Sequence, residues 1–119
     1  MNIEDLRNYC INKAHVTESF PFDESTLVFK VADKMFALTG LERLPYGVNL
    51  KCDPDEAILL RENYEAVSPA FHMNKKHWNT ILLEADMTTD EIKKWIDHSY
   101  SLVVNSLTKK KQKELGFIK

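Results

Sequence analysis

The chain has 119 residues, of which 44% are apolar, 29% charged and 10% aromatic, with a net charge of −2. That length suits one domain, with enough surface to bury for a core that needs neither metal nor disulfide staples. Three glycines and four prolines leave no material for a repeat array or a glycine-rich phosphate loop, and no apolar run approaches the ~18 residues of a membrane-spanning helix. The start, MNIEDLRNYC, lacks the basic-then-apolar pattern of a secretory signal. The two cysteines lie 42 positions apart, with neither CxxC nor metal-ligand spacing, so a reduced, cytoplasmic setting is expected.

Charge is distributed unevenly. Residues 1–71 carry 12 acids against 7 bases, whereas residues 72–119 carry 6 against 9. Four of the latter bases, Lys109, Lys110, Lys111 and Lys113, form one run in a basic tail over 109–119. A sequence pI near 6.1 is low for a nonspecific nucleic-acid binder, although a local basic patch acts through its own field.

In chain order, Asn2 and Asp5 form a capping pair, and Ile3, Leu6, Tyr9 and Cys10 share one stripe, which predicts a first helix. His15 to Phe22 is a connection with room for a short strand, which Pro21 restricts to a sheet edge. The stretch TLVFKV-AD-KMFALT then reads as a hairpin turning at Ala32-Asp33. Simple alternation pairs Phe29 with Phe36 and Leu27 with Leu38 on the core face. It leaves Thr26, Val28, Lys30, Met35, Ala37 and Thr39 facing outward.

Val48 to Cys52 predicts a third strand with Val48, Leu50 and Cys52 inward and Asn49 and Lys51 outward. It runs into Asp53-Pro54-Asp55-Glu56, a strong helix start, and that helix ends near Tyr64, before Ser68-Pro69. A polar, basic stretch from Phe71 leads into a strand near Trp78–Leu83. Thr88 and Glu91 then open the longest helix, with Ile92, Trp95, Ile96, Ser99, Tyr100, Val103, Val104 and Leu107 on its inner arc and Lys94, His98, Ser101 and Asn105 opposite. The expected fold is α+β, in the order α-β-β-β-α-β-α, an antiparallel sheet with helices packed on one face.

Chemistry-bearing patterns are sparse. His72 and His77 stand five apart, unlike paired histidines on one helical turn that hold zinc. His98 beside Asp97 reads as solvated surface. Cys52 precedes a helix start, which lowers a thiol pKa, but its inward position and Asp53 act the other way. No serine lies in a GxSxG turn. No catalytic residue, metal or cofactor is expected. The segment His72-Met73-Asn74-Lys75-Lys76-His77-Trp78-Asn79-Thr80 stands apart: lysines neutralise phosphates, amides and imidazoles donate hydrogen bonds, and an indole stacks on bases. Read plainly, it is a solvated hairpin with Trp78 as its anchor.

Six runs together resemble the MmcQ/YjbR family of small bacterial proteins: FPFD, TLVFKV, KMFALT, VNLKCDP, HMNKKHWNT and IDHSYSLVV. They fall in the family's order and span nearly all of the chain outside the tail. The resemblance implies a frataxin-like or double-wing arrangement. It also implies DNA binding, by analogy with a phage transcription factor domain that shares the double-wing fold. Its polar signature falls on Asn49, Lys51, His72, Asn74, Lys75, Lys76, His77, Trp78 and Asn79. Ala70 stands where the family usually has glycine.

Two functions are therefore expected to compete. In the first, the outward sheet face with Lys30, Asn49 and Lys51 joins Lys75, Lys76, His77 and Trp78 in a surface for DNA. In the second, the same surface takes an anionic or aromatic small molecule, or another protein, without catalysis.

Overall fold

A computed structural model describes residues 1–70 and 72–119; Phe71, at the head of the basic stretch, lies outside the described residues. The element order is α1 (Ile3–Ile11), β1 (Val16–Ser19), β2 (Thr26–Val31), β3 (Lys34–Gly40), β4 (Gly47–Lys51), α2 (Pro54–Asn63), β5 (Val67–Pro69), β6 (Trp78–Leu82), α3 (Thr89–Ser106) and α4 (Lys109–Glu114). The strands form one antiparallel sheet in the order β1-β2-β3-β4-β6-β5. The fold is α+β, with helices packed against the sheet. β1 fills the connection where a short strand had room, and β5 is a strand that alternation does not predict; both are short edges. Pro69 fits an edge because it has no N–H to donate to a ladder.

Local chemistry sets the helix starts. Asn2 Oδ1 accepts from the Asp5 N–H while the Asp5 carboxylate accepts from the Asn2 N–H, a complete capping box. Asp53 accepts from the N–H groups of Asp55 and Glu56 with Pro54 in the first turn. Thr88 accepts from the Glu91 N–H, but the Glu91 side chain is hydrogen-bonded to Tyr64. Beyond α3, Thr108 caps α4. The tail is held there by the buried Gln112, which donates to the Leu107 carbonyl, and by Phe117, edge-on to His15 and Tyr100.

The inner face carries the core. Helix α3 lies across β2, β3 and β4, while α1 packs on β1 and α2 on β5. Leu6, Phe29, Phe36, Leu50, Ile81, Ile92 and Ile96 are fully buried there.

The hairpin register corrects the expectation from alternation. The turn is at Ala32-Asp33, both with positive φ (49° and 65°), and Val31 pairs with Lys34 and Lys30 with Met35. The ladder then shifts: Phe29 opposes Ala37, Val28 opposes Leu38 and Leu27 opposes Thr39. Phe36 is the extra residue of a β-bulge. Phe36 and Ala37 are consequently both in the core, Thr39 is buried, and Leu38 moves to the outer face. The cause lies across the core. Phe36 packs edge-on against Tyr100, with ring centroids 5.3 Å apart, and its carbonyl accepts from the Ser99 hydroxyl at 2.5 Å. Ser99 Oγ in turn accepts from the Lys51 N–H at 2.9 Å, so one buried hydroxyl joins β3 and β4 where their ladder stops.

Candidate ligand-binding cleft

Strand alternation, shifted by the bulge at Phe36, leaves Met35, Leu38, Asn49, Thr80 and Leu82 on the face away from the core, and these line the floor of a cleft of about 850 Å³. Three loops wall it: Phe22, Asp23 and Ser25 between β1 and β2, residues 42–45 between β3 and β4, and His72, Met73 and Asn74 between β5 and β6. Exposed apolar groups crowd its mouth, with Phe22 64% and Leu44 74% exposed.

The walls are built by local hydrogen bonds. Asp23 accepts from the N–H groups of Ser25 and Thr26 and from the Thr26 hydroxyl, a turn of the kind aspartate forms readily. These donors hold its carboxyl below the usual carboxylate range. Asn74 Oδ1 accepts from the Lys76 N–H, and its carbonyl accepts from His77 and Trp78. From α2, Arg61 Nε donates to Asn79 Oδ1 at 2.6 Å, and Arg61 Nη2 donates to the Lys75 carbonyl. His72 takes up the left-handed conformation, φ 63°.

On the floor, Thr80 Oγ1 donates to Asn49 Oδ1 at 2.5 Å across the β4–β6 pair. That bond orients the amide so that Asn49 Nδ2 meets the Met73 thioether at 3.5 Å. Gly47 permits the strands to approach here, since a Cβ would stand 3.1 Å from Thr80 Cγ2.

The expected site residues divide into three groups. Asn49, His72 and Asn74 line the cleft. Lys30, Lys51 and Trp78 share the outer face by alternation, with Lys51 opposite Trp78, but they lie outside the cleft lining, as do Lys75, Lys76 and His77. Asn79 belongs elsewhere: it is 1% exposed, faces inward opposite Leu50, and is occupied by Arg61 and by the Ala57 carbonyl. It supports the loop and cannot meet a base edge. His98 also departs from solvated surface, accepting the Asp53 N–H at 3.1 Å beside the edge of Trp95.

Sequence reasoning set Met35 on the outward face without naming it a site residue, and it missed Leu38, Leu82 and the loop residues Phe22, Arg43 and Leu44 as cleft lining. Only the exposed apolar side chains of those loops signalled them, because surplus apolar groups outside element periodicity mark a binding surface. The thiols are poor nucleophiles. Burial pushes Cys10 up to about 12, and burial followed by Asp53 pushes Cys52 up to about 11.

Comparison with known proteins agrees with this architecture. The YjbR family profile matches residues 11–102. The chain is 36% identical to the uncharacterised protein YjbR of Escherichia coli K12, over 97% of this chain and 98% of that one. It is 32% identical to the uncharacterised protein YbdF of Escherichia coli O157:H7, over 94% and 92%. Among solved structures, the Deinococcus radiodurans protein DR2400, with its DUF419 domain, superposes with a TM-score of 0.92 at 38% identity, over 97% of this chain and 88% of that one. A Pseudomonas syringae protein superposes at 0.74 with 28% identity, over 86% and 98%. On sequence and on fold alike, the chain belongs to the YjbR family.

Proposed function

We propose that the protein is a non-catalytic binding module that holds a small, largely apolar aromatic molecule on the open face of its sheet. One observation carries this reading. The cleft has an apolar floor with an oriented amide, while Lys30, Lys51, Lys75 and Lys76 all lie outside its lining. Its volume falls within the ~300–1,000 Å³ typical of small-molecule sites. Its charged lining, Asp23, Glu42 and Arg43, holds more acid than base, which suits an uncharged guest better than an anion.

A second reading, DNA binding, draws on the Lys51–Trp78 cross-strand pair with Lys75, Lys76 and His77 in the adjoining loop. A cation-and-indole surface of that kind suits a phosphate backbone and an unstacked base.

Two titrations separate them. N-phenyl-1-naphthylamine, an uncharged fluorescent probe, should bind with one-to-one saturation, and Leu38→Gln, a polar group on the floor, should abolish that binding. Labelled duplex and single-stranded DNA should give no anisotropy change at low salt. The DNA reading prevails instead if DNA binds with a steep salt dependence that falls by about two units of slope in Lys75→Ala/Lys76→Ala.

A further inference from the structure

Asn49 is an unusual floor residue. Its oxygen is committed to Thr80 Oγ1 at 2.5 Å, so the N–H end is the one presented to the cleft. The acceptor it meets there is a thioether sulfur at 3.5 Å, among the weakest acceptors a protein offers. An amide donor on an apolar floor gains more from a carbonyl oxygen than from sulfur, because a poorly satisfied polar group retains much of its desolvation cost. Met73 is also the side chain best suited to yield the position, being unbranched and adaptable. The floor beside it is otherwise largely apolar at Met35, Leu38 and Leu82, while Thr26, His72 and Asn74 are among the polar lining residues. The formal charges are remote from a guest's needs: Asp23 is occupied by its own turn, and Glu42 and Arg43 are adjacent, exposed and opposite in sign.

Resting on the ligand reading above, we infer that the cleft recognises an uncharged aromatic molecule bearing a carbonyl group. The carbonyl oxygen accepts from Asn49 Nδ2 and displaces the Met73 thioether, and Thr80 fixes the direction of that donor. Met73 is thus a stand-in that occupies the recognition point until the guest arrives.

The test uses two uncharged naphthalene probes. 6-Propionyl-2-dimethylaminonaphthalene (prodan) carries a carbonyl, and its emission moves to shorter wavelength when that carbonyl loses a hydrogen bond. N-phenyl-1-naphthylamine has no carbonyl. Asn49→Leu should weaken prodan about fivefold, as expected for one neutral hydrogen bond, and shift the bound emission to shorter wavelength. N-phenyl-1-naphthylamine, with no carbonyl to accept from Asn49, should not weaken. Met73→Leu keeps side-chain volume but removes the sulfur, so it should tighten prodan about two- to threefold relative to the other probe. It lies in a loop, and it preserves the test if Asn49→Leu does not fold. Parallel changes for both probes, or unchanged prodan affinity and emission in the variants, overturn the carbonyl inference and leave the cleft reading standing. Failure of both probes to bind the wild-type chain overturns the cleft reading and this inference together.

Discussion

The two faces of the sheet treat polar groups in opposite ways. On the helix-covered face, two buried polar side chains each close a circuit. Ser99 donates to the Phe36 carbonyl and accepts from Lys51, and Asn79 accepts from Arg61 and donates to Ala57. On the open face, Asn49 satisfies one end with Thr80 and rests the other on sulfur. The first face is finished by its own chain. The second leaves a donor pointing into a cleft, and the difference marks where a guest belongs.

Truncation at the bulge should separate the faces most widely. Phe36→Ala removes a fully buried ring and should cost about 3–5 kcal/mol, read from the denaturant midpoint, whereas Leu38→Ala, its neighbour on the cleft floor, should cost only about 1 kcal/mol. Equal losses would mean that the bulge does not divide the two residues between faces. The polar pair sharpens the contrast. Ser99→Ala strands the Phe36 carbonyl and the Lys51 N–H in the interior and should cost about 1–3 kcal/mol, while Asn49→Leu should change stability by less than about 0.5 kcal/mol.

A gain is expected at the turn between β2 and β3. Asp33 holds φ 65°, a region glycine occupies without steric cost, so Asp33→Gly should stabilise by up to about 1 kcal/mol. An unchanged melting temperature would count against that turn geometry.

The smallest effect concerns acid. Glu18 is held below the usual carboxylate range first by its hydrogen bond to Arg7, and Asp23 and Asp86 by backbone N–H donors. A carboxyl depressed in the folded state adds stability that is present above its unfolded pKa and lost as pH falls through the folded value. Urea midpoints should therefore decline on acidification below the ordinary carboxylate range. Asp23→Asn, which has no carboxyl to protonate, should flatten part of that decline. An identical pH profile would show that the Asp23 turn does not contribute.

Much of the fold was legible because it is decided within a few residues. Asn2, Asp53 and Thr88 cap their helices through N–H groups two or three positions away, and the inner arc of α3 follows from a 3.6-residue period. Asn79 was legible too. Alternation from Trp78 sets it on the opposite face, but the basic run around it was read as one surface. The three-residue β5 is too short for any period to register.

What the sequence determined alone was α1, the β2–β3 hairpin, β4, α2, β6 and α3, the caps of those helices, and the inward sides of β4 and α3, since each depends on spacing along one stretch of chain. Tertiary structure decided the rest. An alternating pattern cannot announce an extra residue. The slip at Phe36 exists because Tyr100 and Ser99, over sixty positions away, receive its ring and its carbonyl. That slip moved Leu38 out of the core and onto the cleft floor. The cleft likewise joins three loops separated by tens of residues, and only packing of β1-β2-β3-β4-β6-β5 into one sheet brings Phe22, Arg43 and Met73 around Asn49.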